Sequence, residues 1–337
     1  MKSNYKKPTL QDVAQKAGVS IMAASAALNG PRLGVRISES TRERILECAS
    51  ALGYHPNILA RSLRQRRTNQ IGLYSGHHYL DAGNGFLSSI IGGMMEGCRL
   101  HSMDLTLYAT FRGSSSDDIL DRLIDGRIDG LALFSPEDDP LAEQLRQNPL
   151  PVIAIADAQS HLPSVVADDV QGGVLQAEYL SSRNCKHILY HAPAKMTMSV
   201  SRRHSAFCER SQELGMEVLD VLTPEIDNPH LTPVAERLLC GSLSMRPDAI
   251  VAWEDGHADS IVEQCLAMGL QVPQDVMVVG FNGLKTACKP AHCLTTVHAP
   301  WDTVGMEAVH LLVSQINGET VPLETILPVE LIQGDTA

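Results

Sequence analysis

From Ile71 onward the chain alternates between short apolar runs and longer amphipathic stretches, and this alternation limits the folds open to it. The apolar runs are IGLY (71–74), LTLYA (105–109), GLALF (130–134), VIAIA (152–156), HILY (187–190), AIVAW (249–253) and VMVVG (276–280). Each has the length and composition of a strand buried on both faces. Helical patterns separate many of them, at Phe86–Leu100, Ile119–Ile124, Gly172–Ser181, Val234–Leu239 and Ser260–Met268. Such repetition predicts an α/β body of doubly wound parallel sheets. So long a stretch exceeds one small domain, so two lobes are expected. Open sheets hold ligands outside the carboxyl ends of their strands. Two facing lobes would make a cleft there.

The preceding residues follow a different rule. Residues 9–29, TLQDVAQKAGVSIMAASAALN, read as two short helices joined at Gly18. Thr9 caps the first, and Asp12 stands where a capping box needs an acceptor. Gly18 suits the left-handed turn that ends it. Ser20 caps the second helix. Val13, Ala14 and Ala17 line one face of the first helix, and Ala24, Ala27 and Leu28 the buried stripe of the second. Ile21, Met22, Ser25 and Ala26 fall on the opposite face, which a helix-turn-helix presents to the DNA major groove. A third helix is expected from Ser38 through Leu52, with Ile45, Cys48, Ala49 and Leu52 inward and Gly53 as its stop. Pro56 then opens a short helix over about 56–64, and a polar linker runs to Gln70.

Charge follows the same division. Residues 1–70 carry 12 basic and 4 acidic side chains, whereas the remainder carries 15 basic and 35 acidic. A basic module joined to an acidic body points to localised phosphate binding. No apolar run approaches the roughly 20 residues that span a bilayer. The N-terminal lysines precede no apolar signal segment, so the expected location is cytoplasmic. The eight cysteines show no CxxC spacing and are expected as thiols. Cys288 and Cys293 flank His292 without a second cluster, so no metal site is expected. No nucleophile elbow, P-loop or zinc spacing occurs, and no Gly-rich dinucleotide turn follows Ile71. Neither enzymatic activity nor a cofactor is expected.

The chain resembles the lactose-repressor/galactose-repressor (LacI/GalR) family of bacterial transcription regulators. The resemblance rests on DVAQKAGVS (12–20), Asn29, TRERI (41–45), LGYHPNILARSL (52–63), IGL (71–73) and DGLAL (129–133). It continues through ADDVQGG (167–173), RHSAF (203–207), VPQDVMVVGFN (272–282), LTTV (294–297) and LPVELI (327–332). It implies an all-α headpiece over 8–54, a hinge helix and linker over 55–70, and a two-lobed body over 71–337 like a periplasmic sugar-binding protein. Lobe 1 is expected at about 71–167 and 299–327, and lobe 2 at about 168–298 and 328–337. The resemblance also implies a homodimer on a palindromic operator, acting as a repressor under a small ligand, a sugar by analogy. A regulator whose cleft takes another metabolite, or no effector, is the alternative.

For DNA contact the resemblance and the helix pattern together nominate Thr9, Ser20, Ile21, Met22, Ser25, Ala26, Asn29, Arg32, Arg36, Asn57, Ala60, Arg61 and Leu63. Leu63 matches the family's hinge leucine, which wedges into a minor-groove step. The recognition face departs from the family: Ala23, Ala24 and Ala26 replace the usual Thr, Val and Arg. Arg32 and Arg36, in a loop longer than in many relatives, are expected to take over some contacts. For the effector the nominees are His78, Phe86, Asp157, Arg203, Trp253, Glu254, Asn282 and Trp301. Carboxylate and guanidinium groups bridge sugar hydroxyls, and an indole covers the ring face. Asn282 and Glu254 exchange the family's Asp and Asn, and Ala206 replaces the glycine of the family's motif around Arg203. Asp168, Asp169 and Asp255 are expected as helix caps.

Overall fold

The structure, a computed structural model, describes residues 7–29, 36–56, 62, 67–76, 85–108, 115–137, 139–224, 229–241, 246–284 and 292–337. The side chain of Asn29 and the residues nominated at 32, 57, 60, 61, 63 and 78 lie outside the described residues. The chain divides into two units, residues 1–68 and 69–337.

The first unit contains α1 (Leu10–Ala17), α2 (Ile21–Asn29) and α3 (Glu39–Leu52). The capping box forms: Thr9 Oγ1 accepts from Asp12 N at 3.3 Å, and Thr9 N donates to Asp12 Oδ2 at 2.8 Å. Gly18 and Gly53 adopt φ values of 61° and 62°, where a Cβ is strained. Ser20 accepts from Ala23 N at 3.1 Å, and Ser38 from Thr41 N at 3.3 Å. Val13, Ala14, Ala17, Ala24, Ala27, Ile45 and Ala49 form the core between the three helices.

The second unit has two six-stranded sheets. The first contains β1 (Gln70–Ser75), β2 (Asp104–Leu107), β3 (Gly130–Phe134), β4 (Val152–Ile155), β5 (Ser164–Ala167) and β11 (Glu324–Leu327), in the order β11-β5-β4-β3-β1-β2. The second contains β6 (His187–Pro193), β7 (Glu217–Thr223), β8 (Ala249–Ala252), β9 (Met277–Asn282), β10 (Thr295–His298) and β12 (Glu330–Ile332), in the order β12-β10-β9-β8-β6-β7. All pairings are parallel except β10 with β12. The chain passes between sheets after Ala167, after His298 and after Leu327.

Among the described residues, eight helices cover the sheets: α4 (Gly85–His101), α5 (Ser116–Leu123), α6 (Pro140–Arg146), α7 (Asp169–Ser182), α8 (Met198–Glu213), α9 (Pro233–Leu239), α10 (Asp255–Ala267) and α11 (Trp301–Ile316). Among the described residues, no helix is long and apolar enough to cross a membrane. Each lobe joins one helix pair at very short range, α4 with α11 and α7 with α8. Glycine makes the approach possible. A Cβ at Gly93 would stand 1.7 Å from the Asp302 carbonyl oxygen, one at Gly305 2.1 Å from that of Ile90, and one at Gly173 2.2 Å from that of Arg203.

Neighbouring glycines of α4 therefore respond oppositely to alanine. Gly93→Ala must force the helices apart and is expected to cost about 1–3 kcal/mol or more. Gly92→Ala meets nothing within 4 Å and is expected to gain about 0.4–1 kcal/mol by restricting the unfolded chain. Urea denaturation of both variants measures the contrast.

Candidate functional site

In the first unit, α2 exposes Ile21 and Met22, at 50% and 58% of their full accessible areas. Ser25 and Ala26 do not join them; they are 2% and 5% exposed, a correction to the outward face read from periodicity. The reason is that α2 packs against both α1 and α3, so burial wraps beyond one stripe of small side chains. Thr9 and Ser20 are exposed, with their oxygens engaged as caps. Arg36, Arg42 and Arg44 are exposed. The outward surface at the start of α2 is apolar, and the charge lies elsewhere in the unit.

In the second unit, the chemistry gathers at the carboxyl ends of the parallel strands, where the two lobes meet. Asp157 follows β4 of the first lobe. Its Oδ1 accepts from the Ser199 amide at 2.7 Å and the Ser199 hydroxyl at 2.5 Å. Ser199 begins α8 of the second lobe, so this carboxylate bridges the lobes. Its Oδ2 is buried without a hydrogen-bond partner among the described residues. Burial pushes the Asp157 carboxyl above its usual range, against the pull of the Ser199 hydrogen bonds. A second bridge joins Arg202 of α8 to Glu324 of β11.

Arg203, one turn beyond Ser199, points into its own lobe. Its Nε lies 3.1 Å from Asp169 Oδ1, its Nη1 donates to the Trp253 carbonyl at 2.8 Å, and its Cζ lies 3.6 Å from the Phe281 ring centre. Burial raises the Asp169 carboxyl, and the Arg203 charge opposes that rise. Asp169 is thus not a cap; Asp168 alone caps α7, accepting from Gln171 N at 2.9 Å. The signal missed in the sequence was the acidic doublet, whose second member turns inward to the arginine 34 residues on.

Glu254 caps α10, accepting from His257 N at 3.0 Å and lying 2.6 Å from His257 Nδ1. This corrects Asp255, expected as that cap. Asp255 is buried one position later, where it accepts from Thr296 Oγ1 at 2.6 Å and Leu284 N at 3.1 Å. Burial pushes its carboxyl up to about 7, over the opposing pull of those two donors. Trp253 packs 5.0 Å from the His257 ring, and buried His191 lies 6.1 Å beyond. Burial and the neighbouring His257 push His191 down to about 4 and keep it neutral at pH 7. Sequence reading singled out neither histidine.

The remaining nominees form a second group. Trp301 begins α11, with Phe86 packed edge-on at 4.7 Å and Phe134 5.6 Å beyond Phe86. Trp301 and Asn282 border a cavity of about 280 Å³ with His298, Leu284, Ser89 and Asp302. Asn282 ends β9 with φ 124°, a strained conformation for a side-chain-bearing residue. Asp157, Arg203, Trp253 and Glu254 do not border that cavity. The indole nitrogens of Trp253 and Trp301, and His257 Nε2, are buried without hydrogen-bond partners among the described residues.

Residues 9–57 match the family model of bacterial regulatory proteins of the lacI family, and residues 177–337 match that of the periplasmic binding protein-like domain. The chain belongs to the LacI/GalR family. Catabolite control protein A of Priestia megaterium is 26% identical over 320 residues, covering 93% of this chain and 94% of that protein. The transcriptional repressor PurR of Edwardsiella ictaluri is 28% identical over 330 residues, covering 94% and 93%. A lac repressor dimer bound to operator and the anti-inducer ONPF shares the fold with a TM-score of 0.83 at 22% identity, covering 98% of this chain and 99% of that one. The complex of the regulator CelR with cellobiose shares it with a TM-score of 0.66 at 23% identity, covering 98% and 100%. This LacI-family chain is a DNA-binding transcription regulator, not an enzyme.

Asp255 ties pH to stability. Its folded value lies above the ordinary one, so the folded state holds the proton more tightly than the unfolded state. That contribution is complete below about pH 4 and is lost as pH rises through about 7. Asp255→Asn is expected to reduce the fall in urea-measured stability over this interval; an unchanged slope would assign it to other groups.

Proposed function

We propose that this protein is a repressor that binds an imperfectly palindromic operator as a homodimer and is controlled by a sugar in the cleft between its lobes. Unpaired polar atoms beside aromatic rings carry the effector reading. Buried polar groups are paired in almost all proteins. Here Asp157 Oδ2, His257 Nε2 and two indole nitrogens lack partners among the described residues. A sugar suits groups of this kind: its hydroxyls can donate to a carboxylate and accept from an indole, and its ring face can pack on aromatic carbon. The relative described with cellobiose, CelR, supports a carbohydrate. A regulator of chromosomal DNA works in the cytoplasm.

On the DNA, Ile21 and Met22 are the base-facing side chains, and they suit thymine methyl groups. Arg32 and Arg36 serve phosphates, and Leu63 wedges the operator centre. Ligand acts by binding two lobe arrangements unequally, which changes the spacing of the paired hinge segments.

Thermal melting against mono- and disaccharides tests the effector. One of them is expected to raise the melting temperature, and Asp157→Asn to remove that rise while still folding. If no carbohydrate shifts the transition and a non-carbohydrate metabolite does, the sugar assignment is overturned.

Fluorescence anisotropy on an operator selected from random DNA tests the division of DNA contacts. Met22→Ala is expected to weaken binding with an unchanged salt slope, whereas Arg36→Ala lowers that slope by about one. Monomeric protein in sedimentation at operator-binding concentrations would refute the dimer.

A further inference from the structure

We propose a divalent-cation site on the second lobe, formed by His204 and Cys208 of α8 and Asp220 of β7, with Zn²⁺ as its best-matched ion. His204 and Cys208 stand four residues apart, the spacing that puts two side chains on one helix face. Strand β7 lies alongside and supplies the third donor from 12 residues further on. His204 Nε2 lies 2.8 Å from Asp220 Oδ1 and 3.4 Å from Cys208 Sγ. All three donor atoms fall within 4.8 Å of one another.

One of these spacings already suits a tetrahedral ion and a second lies close to it. Bonds of about 2.0–2.1 Å to nitrogen and about 2.3 Å to sulfur set those two atoms about 3.5 Å apart. The sulfur–nitrogen spacing is therefore already in place. The nitrogen–oxygen pair must open by about 0.6 Å to reach its tetrahedral separation. Asp220 can supply this, because its side chain is 44% exposed on an edge strand. The His204 ring is held from beneath by Tyr190, edge-on at 4.7 Å.

The local field favours a cation. Cys208 is half-buried, and Asp220 and Glu209 add negative charge beside it. A bound dication reverses that field and releases the thiol proton, leaving thiolate as the ligand. Nitrogen, sulfur and carboxylate donors suit Zn²⁺, whereas Mg²⁺ and Ca²⁺ prefer all-oxygen sets. Three protein ligands leave the fourth position to water. The ion would pin α8 to β7, and α8 is the helix that carries Ser199 and Arg202 to the lobe boundary.

The full chain, stripped with EDTA and then freed of it, is titrated with Co²⁺ as a spectroscopic stand-in for Zn²⁺. The expected result is one equivalent with a near-ultraviolet thiolate-to-cobalt band, displaced by Zn²⁺. Cys208→Ser removes the band, and His204→Gln weakens binding at least about tenfold. Cys293→Ser, an exposed cysteine elsewhere, keeps it. Melting in EDTA identifies any variant that fails to fold. Asp220→Asn, at an exposed position, gives an independent reading through Zn²⁺ competition with a chromogenic chelator, where weaker binding is expected. A band that survives Cys208→Ser, no band at millimolar Co²⁺, or unchanged Zn²⁺ affinity in folded Asp220→Asn overturns the site. In the first two cases the His204–Asp220 contact is only a hydrogen bond with a thiol beside it.

Discussion

Arg203 is buried where α7, β8 and β9 of the second lobe converge, and the surrounding fold is arranged around its charge. A guanidinium cannot shed its proton to escape a dry environment. It needs a counter-charge and hydrogen-bond acceptors on the spot, because an unpaired buried charge is strongly destabilising. Asp169 supplies the charge at 3.1 Å, the Trp253 carbonyl accepts at 2.8 Å, and the Phe281 ring offers its face at 3.6 Å. Reaching this arrangement demands small residues on α7. A Cβ at Gly172 would stand 2.5 Å from the Phe281 ring, and one at Gly173 2.2 Å from the Arg203 carbonyl oxygen. The ion pair and the glycines thus fix α7 against α8 together. They also fix the end of β8, where Trp253 lends its carbonyl to Arg203 and Glu254 caps α10.

Helix α8 is rooted in one lobe by Arg203 and tied to the other by its neighbours. Ser199 holds Asp157, and Arg202 holds Glu324, both across the lobe boundary. A change in lobe angle must move or break these two bridges. Asp157 is the more consequential one. One of its oxygens is committed to Ser199 and the other is buried and unpaired, so a ligand hydroxyl there acts on the same carboxylate that joins the lobes. Such a ligand would couple its own occupancy to lobe angle through one carboxylate's hydrogen bonds. The three chain crossings keep the lobes from separating further, which favours rotation over dissociation.

The elements legible in the sequence were those with a strong local signal. Four or more consecutive apolar residues marked β1, β3, β4, β8 and β9, and Thr9, Asp12, Gly18, Ser38 and Gly53 marked helix ends that form as expected. Of the edge strands, β2 was legible as LTLYA, but β7, β11 and β12 were not. β7 reads EVLDVLT and β12 only ELI, and an exposed edge imposes little apolar pattern. Helix α8 was also missed, because its arginines, serines and histidine make it read as polar although its inner face is buried. In the site, the positions of Asp157 and Trp301 followed from strand ends and motif. The partner of Arg203 did not, since Asp169 precedes it by 34 residues and only the packing of α7 on α8 joins them. Periodicity also misplaced Ser25 and Ala26, because it assumes a helix buried along one stripe, whereas α2 is packed by two neighbours.

That packing bears on how DNA sequence is read. With Ser25 and Ala26 inside, the exposed beginning of α2 offers Ile21 and Met22 and little else that reaches. Apolar side chains can register a thymine methyl, but they cannot distinguish donors from acceptors on base edges. Discrimination among base pairs without such a methyl must then come from elsewhere in the interface. Phosphate contacts add affinity without sequence information. What remains is the energy of deforming the duplex, which varies with base step and is paid where no side chain touches a base. A central wedge at Leu63 would draw on that term most, because unstacking is easiest at flexible pyrimidine–purine steps. A recognition helix with so little polar reach is therefore consistent with high specificity only if operator shape, and the fixed spacing of two half-sites, carry the information that arginine and glutamine carry in other helix-turn-helix proteins.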